Sequence, residues 1–297
     1  MCKIIITGAG GFIGSHTYKE LLRLGHPKSE IVPLDIRDSV LFPEIKIIKC
    51  DILSPELANY IEKGDKILHL CAIPVIGGDN KKMFRINVEG QINLAECALA
   101  KGAERIVFSS SGAVYFGNQE IYPPVDENTP TQPNTYYGFS KVVAENILKM
   151  HQNELPFIIL RYGYIYGRGS KDAISLFLNA LSENKSSIIF GGHQIIEKVY
   201  VKDVVQANIL ALNTSSMNEI YNIGSGTSLS IYQIYEICES LMNRRIEPII
   251  ERLRTWDPKS FWYNINKAVK NLGYSPKWTL TEGIKDMLRE KRKKGEI

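Results

Sequence analysis

An α/β fold is what this 297-residue chain predicts: a doubly wound parallel sheet with a smaller mixed α/β lobe interleaved with its end. Three observations carry that expectation. In the first half, short continuous apolar runs alternate with stretches at helical spacing; strands covered on both faces read as unbroken apolar runs rather than as alternation. A glycine cluster joins the first run to the first helical stretch. After about Tyr162 the pattern loosens, and glycines gather at Gly163, Gly167, Gly169, Gly191, Gly192, Gly224 and Gly226.

Taken in order, Lys3–Thr7 is apolar and β-branched, a strand, and Phe12–Leu24 has helical spacing that stops at Gly25. Ile31–Leu34, Ile45–Ile48, Lys66–Leu70 and Arg105–Phe108 are further candidate strands, with helix-like Glu56–Glu62 and Met83–Ala100 between them. Val142–His151 reads as helix and Phe157–Leu160 as strand. Beyond Tyr162, Val201–Leu212 is a clear helix and Tyr221–Ile223 a candidate strand; the remainder reads as mixed helix and loop. The tail Arg289–Lys294 is strongly basic, and a solvated helix end whose cations suit the helix dipole explains it better than an anion-binding arm.

Composition excludes several classes. With 44% hydrophobic residues and a net charge of only +4, the chain has enough apolar surface to fold and is not a disordered segment. No run approaches the roughly 18 apolar residues a membrane span needs. Met1-Cys2-Lys3-Ile4 leads straight into a strand without a signal-peptide pattern. Cys2, Cys50, Cys71, Cys97 and Cys238 show no metal-ligand spacing, and their odd number fits reduced thiols in a cytoplasmic protein. The mildly basic balance suits small anionic ligands as well as nucleic acid and decides nothing alone.

The cluster Thr7–Gly14 places glycines at Gly8, Gly11 and Gly14. A tight turn needs a residue without Cβ, a backbone must approach a pyrophosphate, and the helix must pack closely on the strand. The helix start at Phe12 and Ile13 then offers N–H groups to phosphate. Position after the first strand and before a helix makes this a Rossmann-like dinucleotide site. Asp35 closes the second strand, where a carboxylate holds ribose hydroxyls and repels a 2′-phosphate; NAD is favoured over NADP, although Arg37 partly opposes this. Asp51, with Ile52, follows the third strand and reads as an adenine contact, or else as a loop cap. Residues 1–163, joined again by about 197–223, are expected to form the dinucleotide-binding domain, and about 164–196 and 224–297 the substrate-binding lobe.

Tyr137 and Lys141 lie one helical turn apart. An ammonium near a phenol favours the phenolate, lowering its pKa from about 10, and such a tyrosine can take a proton from an alcohol. A second YxxxK, Tyr263–Lys267, reads as surface chemistry without function. The first differs because Ser109-Ser110-Ser111 ends the strand before it, and the Ser111 hydroxyl can bridge substrate oxygen and Tyr137.

Over essentially its whole length the chain resembles the extended short-chain dehydrogenase/reductases, specifically the NAD-dependent epimerase/dehydratase group acting on nucleotide sugars. The resemblance rests on TGAGGFIGS (Thr7–Ser15), FSSSGAVY (Phe108–Tyr115), YYGFSK (Tyr136–Lys141) and LRYGYIYGRG (Leu160–Gly169), extended by VYVKDVVQA (Val199–Ala207), YNIGSG (Tyr221–Gly226) and LGYSP (Leu272–Pro276). It implies Tyr137 as base, Lys141 as its electrostatic partner and ribose ligand, and Ser111 as hydroxyl helper. It also implies that Leu70, Cys71 and Ala72 pass over the cofactor and that Asn87 supports that side.

The family's 4,6-dehydratases carry an Asp–Glu pair after the catalytic serine or threonine; here Gly112 and Ala113 stand there, which resembles 4-epimerases. The resemblance then implies NAD as cofactor, a nucleotide-diphosphate-sugar substrate, no nucleic-acid or membrane partner, and a homodimer built from the Met83–Ala100 and Val142–His151 helices. Arg254 and Asp257 match its late substrate residues. The chain departs from the family at Tyr164 (usually asparagine, a diphosphate contact), Ile196 (usually arginine) and Phe116 (usually glycine). A 4-keto-sugar reductase with exchangeable NAD(P)H and a catalytically silent dinucleotide-binding protein stay open as alternatives.

Overall fold

The computed structural model describes residues 2–74, 78–117, 122–293 and 295. Its first part runs β1 (Ile4–Thr7), α1 (Phe12–Arg23), β2 (Ile31–Asp35), β3 (Ile48–Lys49), β4 (Lys66–His69), α2 (Asn80–Phe84), α3 (Gly90–Lys101), β5 (Arg105–Ser111), α4 (Tyr136–Met150) and β6 (Phe157–Tyr162). Then follow β7 (Tyr164–Tyr166), α5 (Ala173–Ser182), β8 (Ile188–Phe190), β9 (Ile195–Tyr200), α6 (Val201–Asn213), β10 (Glu219–Ile223), β11 (Ser228–Ser230), α7 (Ile231–Met242), β12 (Ile249–Glu251), β13 (Ser260–Phe261) and α8 (Leu280–Lys293).

Seven parallel strands form the main sheet in the order β10-β6-β5-β4-β1-β2-β3. Its strands are apolar because helices cover both faces: Ile6, Leu68, Val107 and Ile158 pack under α1 and α6, whereas Ile5, Ile67, Ile106 and Ile159 pack under α3 and α4. The chain steps to opposite sides of β1 to make β2 and β4, so a crevice opens beyond their C-terminal ends, where open α/β sheets bind ligands. A second sheet of β7, β9, β11 and β13, and the β8–β12 pair, stand over that crevice.

Several sequence boundaries change. The third strand is a two-residue edge at Ile48–Lys49 rather than Ile45–Ile48, and Ile45 is instead a buried core contact. Glu56–Glu62 is not an α-helix but a 3₁₀ turn over Pro55–Tyr60, capped by Ser54. The helix expected at Met83 begins at Asn80 and is interrupted by a π-helical turn at Arg85–Glu89. The one expected at Val142 begins at Tyr136, because the Thr135 hydroxyl accepts the Gly138 N–H. β5 continues through all three serines. The second half holds five short strands beyond the expected helices and loops, besides β9. The last turn of α8 carries Lys291, Arg292 and Lys293; Lys294 lies outside the described residues. No helix among the described residues is long and apolar enough to cross a membrane.

Candidate active site

A cleft of about 1170 Å³ fills the crevice. The glycine loop forms its floor. Gly8 has φ +76°, and a Cβ there would lie 2.7 Å from the Cys71 nitrogen; a Cβ on Gly14 would overlap the Gly8 carbonyl. Both positions therefore exclude any side chain. α1 starts at Gly11 with no side-chain cap and no acidic residue in its first turn. Gly11, Phe12, Ile13 and Gly14 line the cleft, so the open helix N-terminus is presented to whatever anion enters. Asp35 stands beside the loop, its carboxylate accepting the Gly10 N–H at 3.1 Å and the Arg37 N–H at 3.0 Å. These features fit a dinucleotide: room for a pyrophosphate at uncapped N–H groups and an oriented carboxylate for ribose.

Leu70 and Ala72 line the same wall, while Cys71 packs by its backbone over Gly8. Burial pushes the Cys71 thiol up to about 12, so it is inert. Asn87, in the π-helical turn, clamps this wall: its Oδ1 accepts the Ile73 N–H at 2.8 Å, and its Nδ2 donates to Ile73 O at 3.1 Å and Ser140 Oγ at 3.0 Å. It thus ties the loop after β4 to α4. Asp51 and Ile52 stand outside the cleft lining. Asp51 accepts the Leu53 N–H at 3.0 Å, closing a turn, and Ile52 is buried against Gly90.

Opposite, β5 and α4 bring Ser111, Tyr137 and Lys141 together on one wall of the cleft. Lys141 is buried; its Nζ donates to Ser109 O at 2.7 Å and lies 5.8 Å from the Tyr137 ring centre. The Ser111 hydroxyl accepts the Ala113 N–H at 3.2 Å. Without NAD the Tyr137 phenol is shifted the other way. Burial pushes it up to about 12, against a weaker opposite pull from Ser111, and burial brings Lys141 down to about 8. In the chain alone, desolvation dominates both groups.

Beneath this wall, His69 bonds Thr7 through its Nδ1 at 2.6 Å and stacks on Phe108. Burial brings its pKa down from 6.5 to about 3. The native state therefore needs neutral His69, and the contribution is complete above the unfolded value of about 6.5. As pH falls below that, the unfolded chain takes a proton that the native chain refuses. By about pH 5 the loss is on the order of 2 kcal/mol. In urea unfolding, His69→Gln is expected to shrink the stability difference between neutral and mildly acidic pH by that amount; equal declines in both proteins would contradict it.

The substrate side is different in kind. Tyr164 faces the cleft from β7, stacked on Phe116 at 5.8 Å. Arg254 and Asp257 also line it, but bind each other in a bidentate pair at 2.6 and 3.1 Å. Two further features escape sequence reasoning. Lys198, on β9, is a buried cleft cation. Behind the serines, Ser110 donates to Glu145 Oε1 at 2.6 Å, Glu145 takes Arg161 through Nε at 2.9 Å and Nη2 at 2.6 Å, and Arg161 reaches Tyr115, which donates to Asn222 at 3.0 Å. The second YxxxK is not surface chemistry: Tyr263 is buried against Tyr115 and Phe261, and Lys267 pairs with Glu219 at 2.7 Å.

Comparison with known proteins places this geometry. A model described as the NAD dependent epimerase/dehydratase family matches residues 4–224. A putative UDP-glucose 4-epimerase of Methanocaldococcus jannaschii is 34% identical, over 95% of this chain and 96% of its own length. Among solved structures, UDP-glucose 4-epimerase from Thermotoga maritima with UDP-glucose has TM-score 0.89 at 26% identity, covering 98% of this chain and 99% of its own. UDP-glucuronic acid 4-epimerase from Bacillus cereus, in complex with UDP-glucuronic acid and NAD, has TM-score 0.87 at 26% identity with the same coverage.

Proposed function

The chain belongs to the NAD dependent epimerase/dehydratase family, and on that premise we propose that it interconverts the C4 epimers of a UDP-sugar with NAD retained between turnovers. The observation that carries this reading is the meeting of Ser111, Tyr137 and Lys141 on the wall facing the glycine loop, with small residues, Gly112 and Ala113, directly after the serine. When bound, NAD would supply the hydride acceptor and, on return, the hydride donor, and in its oxidised form a positive charge.

The protein residues handle the proton and the orientation. Tyr137 takes the C4 hydroxyl proton as hydride leaves the same carbon. Ser111 donates a hydrogen bond to the oxygen that becomes the 4-keto group. Lys141, anchored on Ser109 O, holds the ribose and the charge of the Tyr137 phenolate. The cleft would leave the keto sugar room to turn, and Tyr137 would give the proton back to the C4 oxygen. Gly8, Gly11, Phe12, Ile13 and Gly14 would hold the pyrophosphate and Asp35 the ribose. Asn87 positions Leu70–Ala72 over the cofactor. Asp51 and Ile52, one layer back, shape the adenine end. Tyr164, Arg254 and Asp257 meet the substrate.

The test begins with freshly purified protein, denatured and assayed by mass spectrometry for released dinucleotide. Near-stoichiometric NAD, and C4 inversion of UDP-glucose or UDP-galactose without added cofactor, are expected. Empty protein that consumes NAD(P)H stoichiometrically would replace this reading with a 4-keto-sugar reductase. We also infer a homodimer through α3 and α4, whose Ile92, Phe139 and Met150 are exposed; light scattering showing only monomer would overturn it. The five unpaired cysteines suit a reducing, cytoplasmic setting, which fractionation of the source cells checks.

A further inference from the structure

We propose that Lys198 is the cation that grips the diphosphate of the nucleotide-sugar substrate, an inference that rests on the function proposed above and adds a specificity residue to it. Lys198 lies in β9 among Ile196, Val199 and Tyr200. Residues two apart on a strand share a face, and both Ile196 and Lys198 line the cleft. The lysine is 9% exposed. In the β7–β9 ladder its direct partner is Tyr164, and its Nζ lies 5.2 Å from the centre of the Tyr164 ring. The aromatic face thus fixes where the ammonium points.

The other cations on the substrate side are worse placed. Arg254 is exposed, committed to Asp257 through two hydrogen bonds, and stacked 4.8 Å from the Phe190 ring centre. Lys171 is exposed. Among the described residues Lys198 has a single acidic contact, 3.3 Å to Asp172 Oδ2. Asp172 does not depend on it: its two oxygens also accept the Ile174 and Ser175 N–H groups and the Ser170 hydroxyl. Lys198 can exchange Asp172 for a phosphate oxygen and leave that carboxylate with three donors. A buried ammonium is already stripped of most of its water, so an entering diphosphate meets a charge in a low-dielectric setting.

The experiment uses the NAD-loaded protein with UDP as probe and uridine as control, read by calorimetry, alongside steady-state kinetics. Lys198→Ala is expected to weaken UDP on the order of 10–100-fold, the worth of one charge-assisted hydrogen bond. Uridine affinity should stay unchanged. KM for UDP-glucose should rise by the same factor while kcat moves far less, and Lys198→Arg should restore most of the loss. Should Lys198→Ala not fold, Asp172→Asn keeps a helix-capping side chain and frees the ammonium; it is expected to tighten UDP several-fold. UDP affinity within twofold of wild type in Lys198→Ala, an equal loss for uridine, or weaker UDP binding in Asp172→Asn would overturn the assignment. Because UDP binding needs no turnover, a wild-type protein that fails to epimerise but binds UDP through Lys198 would sink the proposed function alone.

Discussion

Tyr137→Phe is expected to lower kcat by roughly 10²–10⁴-fold, the usual worth of a positioned general base, while the purified variant still releases near-stoichiometric NAD. The change removes one oxygen from a half-buried cleft residue in the first turn of α4, so the fold is expected to persist. Activity within about tenfold of wild type would move the base elsewhere. A companion titration follows phenolate absorbance. In the apo chain burial holds Tyr137 up at about 12, and loading oxidised NAD is expected to bring this phenol down, because a positive charge nearby favours the anion. A Tyr137 that titrates identically with and without NAD would contradict the proposed activation.

Glu145→Ala is expected to cost about 3–5 kcal/mol of unfolding free energy, because it strands the buried Arg161 guanidinium without its carboxylate. Glu145 and Arg161 are both essentially enclosed, at 1% and 2% exposure. Replacing both partners together, Glu145→Leu with Arg161→Met, should recover most of that loss. Urea unfolding of wild type, Glu145→Ala and the double variant reads both outcomes; a Glu145→Ala loss under about 1 kcal/mol would mean the pair is not desolvated in solution. The effect reaches the chemistry through geometry. Glu145 follows Lys141 by one turn of α4, and its partner Ser110 sits between Ser109, which anchors Lys141, and Ser111. Loosening this bond loosens β5 against α4 where three functional side chains must meet.

The parts of the site that sequence reveals are those set by sterics or by short spacing. Gly8 and Gly14 are legible because no other residue fits where backbone meets backbone, and Tyr137 with Lys141 because one helical turn joins them. The buried Glu145 is not: a charged residue in an amphipathic helix reads as its wet face, and Arg161 lies on another element. Lys198 hides for the same reason, since Glu197 and Lys198 break the apolar run that marks a buried strand. β7, β8, β11, β12 and β13 are two or three residues long, too short for periodicity to register. Nor does the Tyr–Lys spacing report desolvation, which in the chain without NAD holds the phenol above its ordinary value.

The main sheet also constrains how such a protein can be taken apart or recombined. Its outermost strand, β10, is supplied only after the chain has left the sheet at β6 and built β7, β8 and β9. The elements over the crevice therefore come from two stretches, one inserted between β6 and β10 and one that follows β10 and pairs back onto it, β11 and β13 on β9 and β12 on β8. A fragment ending near Gly163 would expose the whole edge of β6, six buried residues with unpaired backbone groups. Such an edge invites strand addition from another molecule. Exchange of these elements between relatives therefore needs at least three junctions, one on each side of the inserted segment and one after β10, so that β10 still returns to cover β6 and β11, β12 and β13 travel with their partners.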